Sequence, residues 1–559
     1  MLLKPLPRAV TRPVSFLILI AWVGVMAALV NRSYIQASSA NLATDLARYG
    51  SAAVWRGVYY RGEKIGFTVS QTVPKDDGFE LEEDGRLQMS LLGAISQATI
   101  HTTARVDENF TLRSFDFSLD PGTGPVKVSG QVNGLRLTLS VTTSGGTHTE
   151  ERELPEPPAL SQNLSRRLAN GGLVPGARHQ WTVFDPATLR NAPVTVIVGR
   201  REIVRSAATP IPAFRVEMEF AGLRTTSWVT DTGEVIREES PLGLITVRET
   251  ADRARALAVS GRVQADLLDA AAVVPVMTAV TARIDEPRDV RRLRVRLTGP
   301  DLSSVLSNAD LQGAGQEVAE NTFDIRDPRG LQPGPADPGA AQFLAPEPFI
   351  ESDAPEILAE AERAVTGVTG TRARAERLTR YVNALLDKKP TIGLPSAREV
   401  LRTQVGDCNE HTALYVAMAR SLGIPSRIAV GLVHAHGAFY YHAWPEVYVD
   451  EADGRGLWLP VDPTLNEFPA DATHIRLARG GLDKQTAILP LIGRLKMAVL
   501  DLELAPNTNQ VVVGKTQART EFGALAIPIP RRESCCACLS QPRVAPAGRP
   551  APAAMPARQ

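Results

Sequence analysis

The sequence predicts an α+β protein in which a large antiparallel β region at residues 52–329 precedes a smaller unit at 349–482. Two observations carry this. Between residue 55 and about residue 299, apolar and polar residues largely alternate with period two, and turn signals punctuate the runs. After a Pro-, Gly- and Ala-rich stretch at 330–348, taken as a linker, the pattern changes to helical spacing and then back to strands.

Within the β region the clearest runs are WRGVYYRGEKIGFTVSQTV (55–73), TLRSFDFSLD (111–120), LRLTLSVTT (135–143), PVTVIVGRREIVR (193–205) and FRVEMEF (214–220). Asp76-Asp77-Gly78, Asp120-Pro121-Gly122, Asn133-Gly134 and Asp231-Thr232-Gly233 mark turns between such runs. One or two sandwich or open-barrel domains are expected. LSQNLSRRLANGG, at 160–172, reads as a short helical connection. His101, His148 and His179 are scattered, with no nucleophile or base nearby in sequence, and are read as structural or exposed.

The chain has 559 residues, 44% hydrophobic and 22% charged, which is globular and too long for one core. Lys+Arg and Asp+Glu both number 61, so no net field draws in nucleic acid, and none is expected as a partner. Residues 14–30 (VSFLILIAWVGVMAALV) carry no charge and are near the minimum length for a transmembrane helix. Lys4, Arg8 and Arg12 precede this stretch and only Arg32 follows closely. The positive side stays cytoplasmic, so 1–13 is read as a cytoplasmic end and 31–51 as an extracytoplasmic stalk. The expectation is a single-pass inner-membrane protein with a periplasmic body; a signal peptide cleaved near Ser38-Ser39-Ala40 is the alternative. Residues 483–520 read as closing strands and 521–559 as a disordered tail. That tail holds Cys535, Cys536 and Cys538, to which no role is given, leaving Cys408 as the lone cysteine of the body.

Residues 354–364 and 371–386 have amphipathic helical spacing, and Ser396 is placed to cap a short helix through Leu401. Next comes VGDCNEHTALYVAMARSLGIPSR at 405–427. Asp407 and Glu410 form a D-x-x-E capping pattern, Leu414, Ala417, Met418 and Leu422 fall on one helical face, and Gly423 with Pro425 ends the helix. Cys408 is thereby set in the first turn, where backbone N–H groups and the dipole favour a thiolate. Residues 428–433 and 439–450 read as strands turning near His436-Gly437-Ala438, with His442, Trp444, Glu446 and Tyr448 on one face. A third strand, GLWLPVDPT, ends at Asp462. Pro445 cannot donate to a ladder, so an edge or bulge is expected beside His442. A thiol, an imidazole and a carboxylate in this order supply the nucleophile, base and orienting group of acyl transfer.

These residues carry a family resemblance. GDCNEHTAL at 406–414, HAWPEVY at 442–448 and WLPVDPT at 458–464 resemble the signature segments of bacterial transglutaminase-like proteins. Cys, His and Asp follow in that order, spaced by 34 and 20 residues, and the likeness covers about 343–482. The resemblance implies a papain-like core with the catalytic triad Cys408, His442 and Asp462. It also implies a cysteine peptidase, amidase or transamidase acting on peptide or protein amides, which the expected anchor places outside the membrane.

Of the remaining residues, the Cys408 N–H is expected to serve as an oxyanion donor and Gln404 as the second. Trp444 is read as packing and Glu410 as a cap. His411, one turn from Cys408, is the competing base, but His442 has the aligned carboxylate. A zinc site drawn from Cys408, His411, His434, His436 and His442 lacks paired-ligand motifs, and no metal or organic cofactor is expected. A catalytically silent scaffold is the non-enzymatic alternative. Between hydrolysis and amine transfer, hydrolysis is preferred.

Overall fold

A computed structural model describes residues 49–506 apart from short internal stretches, the longest at 257–265 and 391–395. The expected anchor at 14–30, nearly all of the stalk, the tail at 521–559 with its three cysteines, and the closing segment beyond 506 lie outside the described residues. Among those described, no helix is long and apolar enough to cross a membrane.

Among the described residues, the period-two segments up to Glu249 form one fourteen-stranded antiparallel sheet, while Val290–Thr298, expected in the same β region, joins a different sheet. The first strand of the fourteen, Val54–Tyr60, pairs with the last, Leu244–Glu249, and the sheet runs outward from that seam to edges at Gly146–Glu153 and Arg178–Asp185. Alternation is why these are strands: in Leu112–Asp120 the residues Leu112, Phe115, Phe117 and Leu119 are buried while Arg113, Asp116 and Ser118 face outward or lie at the boundary. Phe115 touches Phe184 of Arg178–Asp185, with ring centroids 5.5 Å apart, although their strands are distant in the sheet order. The sheet therefore curls on itself as an open barrel, not a two-sheet sandwich. The expected helical connection is a helix, Ser161–Asn170, and it buries Leu164 and Leu168 against Val194, Val196 and Val198.

A second sheet has five strands and is knit from segments far apart in sequence. Lys496–Leu504 runs parallel to Pro275–Met277 and antiparallel to Val290–Thr298, which pairs in turn with Thr322–Arg326 and then Gln316–Ala319. Strands from both sides of the helical unit thus close together beneath it.

Among the described residues, that unit has four α-helices, α1 (Pro355–Ala364), α2 (Thr371–Leu385), α3 (Ala397–Thr403) and α4 (Cys408–Ser421). Its strands are β1 (Ser426–Ala435), β2 (Ala438–Asp450), β3 (Arg455–Pro460) and β4 (Ile475–Arg479). The sheet order is Gly334–Pro335, β3, β2, β1, β4, antiparallel throughout. Ser396 caps α3 as its sequence requires. Residues 330–348 lie along this sheet: the Asp337 N–H donates to the Tyr448 hydroxyl at 2.9 Å, and the Trp458 indole N–H donates to the Asp337 carboxylate at 2.8 Å.

Helix α4 is the axis of the core. Residues 410–420 are all buried, so one helix face packs on α1, α2 and α3 and the other on β1 and β2. A fully buried aliphatic or aromatic side chain stabilises by about 1.5–3 kcal/mol, against about 1 kcal/mol for a cap. Burial therefore holds the helix in place, and the cap decides where it starts.

Pro445 departs from expectation. It lies in the central strand β2, paired with Ile428 on β1, with no register shift there. The Val461 N–H donates to its carbonyl at 2.9 Å, so its nitrogen faces the same side. The last β2–β3 pair is Glu446 opposite Pro460, so the missing donor falls at the end of that ladder.

Candidate active site

The start of α4 places the thiol. Asp407 is the N-cap; its carboxylate accepts from the Asn409 N–H at 2.9 Å, and the Glu410 carboxylate reaches back to the Asp407 N–H at 2.8 Å. This is the reciprocal capping box expected from D-x-x-E. Cys408 is the first helical residue, partly exposed and outside any disulfide. Its N–H belongs to the set that a helix cannot satisfy from within.

Gly406 has a steric reason. A Cβ at this position would lie 2.2 Å from the Glu410 Cβ, so the returning Glu410 side chain fills the space of any larger residue. We predict that Gly406→Ala destabilises the chain by about 1–3 kcal/mol and slows Cys408 alkylation through loss of the cap. A urea midpoint and an alkylation rate matching wild type would refute this.

The imidazole comes from β2. The Thr412 hydroxyl of α4 donates to the Ala443 carbonyl at 3.1 Å, tying the thiol's helix to the residue after His442. The carboxylate comes from the chain leaving β3. Continuing the register of Glu446 opposite Pro460 sets Asp462 across from Trp444, on the same face as His442 and two residues away. His442 Nε2 and Asp462 Oδ2 lie 2.7 Å apart, both buried. Asp462 Oδ1 accepts from the N–H groups of Thr464 at 2.7 Å and Leu465 at 2.9 Å. Asn383 of α2 donates to the carbonyls of Pro463 and Thr464, which fixes that turn.

Burial acts to lower the His442 pKa, but the Asp462 charge and hydrogen bond, with a hydrogen bond and charge from Cys408, raise it to about 9. With Nε2 on Asp462, Nδ1 is the nitrogen left for the sulfur. Burial also acts to raise Asp462, and the two histidines on it, His442 and His474, hold it well below the usual carboxylate range. Asp462 therefore favours the protonated form of His442, and a cation beside a thiol favours thiolate.

The other expected residues fall as follows. Gln404 is exposed in the left-handed conformation that ends α3, and its backbone is engaged with Val400 and Asp387. His411 is buried, with Nδ1 2.7 Å from the Asp407 carbonyl and Nε2 without a hydrogen-bond partner among the described residues. Burial lowers its pKa, and no carboxylate orients it as Asp462 orients His442. Trp444 is buried beside the site, with ring centroids 6.2 Å from His442 and 5.1 Å from His474. His434 packs edge-on against Phe439.

Two further groups have no counterpart in the expectations. His474 and Asp471, in the turn before β4, stand behind Asp462; His474 Nε2 is 3.1 Å from Asp462 Oδ2. A histidine three residues after an aspartate, entering the buried strand IRLAR, was the available signal. Glu446 is the other: it is fully buried and bound by Arg427, Arg476 and Arg479. Among the described residues, the groups with metal-ligand spacing are His442, Asp462 and His474, and Glu467, Asp471 and His474; His434 and His436 belong to neither. In the first group both histidine Nε2 atoms lie within hydrogen-bond distance of Asp462 Oδ2.

Residues 359–463 match the model of the transglutaminase-like superfamily, a span from within α1 to just past Asp462. A β-barrel-like protein from Brucella abortus, of a domain of unknown function, is similar over 36% of this chain and 97% of its own, at 12% identity and TM-score 0.30. A candidate cysteine protease from Cytophaga hutchinsonii is similar over 42% of this chain and 89% of its own, at 16% identity and TM-score 0.27. No curated protein matches the chain.

Proposed function

Starting from a transglutaminase-like domain at 359–463, we propose that the chain is a cysteine-dependent acyl-transfer enzyme acting on peptide or protein amides. The observation that carries the reading is the buried His442–Asp462 pair, 2.7 Å apart, hydrogen-bonded through His442 to a cysteine at a helix start.

In this reading the Cys408 thiolate attacks the amide carbon and a C–S bond forms. The oxyanion is met by the Cys408 N–H, with Gln404 as the candidate second donor. His442 then gives its proton to the leaving amine, the C–N bond breaks, and a thioester remains. Water, deprotonated by His442, attacks the thioester and releases the acid and the thiol. An amine in place of water gives a new amide. Hydrolysis is our preferred outcome and transamidation the alternative. We place the body outside the inner membrane, held by residues 14–30.

The test is the rate at which iodoacetamide alkylates Cys408 in the full chain, followed on the Cys408 peptide so that the tail thiols are resolved. Fast alkylation at neutral pH that falls at least tenfold in His442→Ala, by loss of the thiolate fraction, is the expected result. A rate matching an ordinary peptide thiol and unaffected by His442→Ala would leave only the scaffold alternative. A peptide library incubated with and without added amine then separates hydrolysis from transfer, with Cys408→Ala as the control.

A further inference from the structure

Asp462 serves two imidazoles, and acyl transfer as drawn above uses only one. Its Oδ2 lies 2.7 Å from His442 Nε2 and 3.1 Å from His474 Nε2. The second ring is also engaged at its other nitrogen: His474 Nδ1 is 3.2 Å from the Asp471 carbonyl and 3.3 Å from Asp471 Oδ1. Both ring nitrogens thus face acceptors only. An imidazole satisfies two acceptors at once only when both nitrogens carry protons. His474 is therefore an imidazolium in a site that excludes water, its side chain 2% exposed.

Asp471 is built to hold that cation. Its Oδ1 also accepts from the Thr473 N–H at 2.8 Å and hydroxyl at 2.6 Å, and its Oδ2 is buried with no hydrogen-bond partner among the described residues. Glu467 lies behind it, with Oε2 accepting from the Asp471 N–H at 2.9 Å and paired with Arg288 at 3.0 Å. The charged and titratable groups facing His474 are then Asp462 from the chain after β3, Glu467 and Asp471 from the turn before β4, and His442 from β2, with Arg288 behind Glu467. Burial acts to lower the His474 pKa, and Asp462 and Asp471 together outweigh it and raise it to about 10.

We propose that His474 is a positioning residue of this site: a fixed imidazolium strung between Asp462 and Asp471 that aims the Asp462 carboxylate at His442 and offsets part of its charge. The proposal rests on the acyl-transfer reading. With Oδ1 pinned by two backbone N–H groups and Oδ2 shared with His474, the carboxylate has one orientation, and its remaining acceptor direction is toward His442. The added cation makes the region around His442 and Cys408 more positive. Thiolate therefore persists to lower pH, and His442 gives up its proton to a leaving amine more readily.

The experiment measures the pH profile of Cys408 alkylation by iodoacetamide in the full chain, for wild type, His474→Gln and His442→Ala, with melting temperatures alongside. His474→Gln keeps an amide donor for Asp462 and loses the charge. Its acid limb is expected to move up by about one pH unit. A limb that superimposes on wild type overturns the proposal whatever the melting temperature, because a histidine needed only for packing would lower stability and leave the limb in place. Should His474→Gln fail to fold, 15N-histidine NMR decides the matter on a His101→Asn chain, which removes another histidine seated on a carboxylate. At least two rings doubly protonated above the ordinary histidine range support the proposal; one or none overturns it. A wild-type limb that depends on His442 but not on His474 sinks this proposal alone. A wild-type thiol indifferent to His442 sinks the acyl-transfer reading and this proposal with it.

Discussion

Asp462→Asn is expected to lower turnover of a susceptible peptide amide by roughly 10³–10⁴-fold while Cys408 stays where it is. The reason lies in which side of the group faces which partner. Oδ1 accepts two backbone N–H groups, from Thr464 and Leu465, so an asparagine would keep its carbonyl oxygen there. Its NH2 would then take the place of Oδ2 and point donors at His442 Nε2 and His474 Nε2. A donor at His442 Nε2 requires a lone pair on that nitrogen and moves the ring proton to Nδ1, the nitrogen facing the thiol. A ring in that tautomer has no lone pair to accept the cysteine proton. Turnover and the acid limb of alkylation report this together. Asp462→Asn activity within tenfold of wild type would mean that the carboxylate has no part in the chemistry.

Glu446→Gln is expected to destabilise the core by about 3–5 kcal/mol, a larger loss than Gly406→Ala brings. Glu446 is fully buried on β2, four residues after His442, and three guanidinium groups converge on it. Burial acts to raise its pKa, and Arg476, Arg479 and Arg427 outweigh that and hold it well below the usual range. The amide keeps the shape and loses the charge, leaving three cations gathered around a neutral group. Arg476 is the least able to escape: it is buried and also donates to the carbonyls of Asp310, Leu311, Gln312 and Gly313. Arg427 lies 3.8 Å from the centroid of the Trp458 ring, which compensates part of its own burial. The readout is the urea midpoint of the unfolding transition that exposes the buried Trp444. A shift of less than about 1 kcal/mol, the range of exposed ion pairs, would show that the cluster relaxes into water.

How much of this was legible in the chain follows from the range of the forces involved. The start of α4 was readable because a capping box is written within four residues, Asp407 to Glu410. Alternation exposed the strands, and the turn at His436-Gly437 appears where expected, with positive φ at both residues. The spacing of Cys408, His442 and Asp462 was informative through its resemblance to the transglutaminase-like pattern, and a helix, a hairpin and a returning strand run between them. His474 escaped notice because its partner Asp462 is reached through a turn whose path depends on Asn383, Arg288 and Asp471 together. The Glu446 cluster escaped for a related reason: Arg427 sits opposite it on β1, while Arg476 and Arg479 arrive from β4 across a strand. Pro445 misled because a proline's cost depends on its place in the ladder: the last β2–β3 pair is Glu446 opposite Pro460, and Pro445 meets Val461 just beyond it through its carbonyl. The single curled sheet could not be told from two sandwiches because strand alternation reports which face is buried, not what buries it.

The sheet knit from both flanks of the helical unit sets an order of assembly. Val290, Leu293, Val295 and Leu297 are fully buried, and Lys496–Leu504 is the neighbour that closes one side of their strand. During synthesis, a nascent chain already carrying Cys408, His442 and Asp462 still leaves that ladder bare, with its donors and acceptors open to any passing strand. The strand that seals the platform emerges after every reactive group, so a ribosome that stalls shortly before residue 496 leaves a product prone to aggregate despite holding them all.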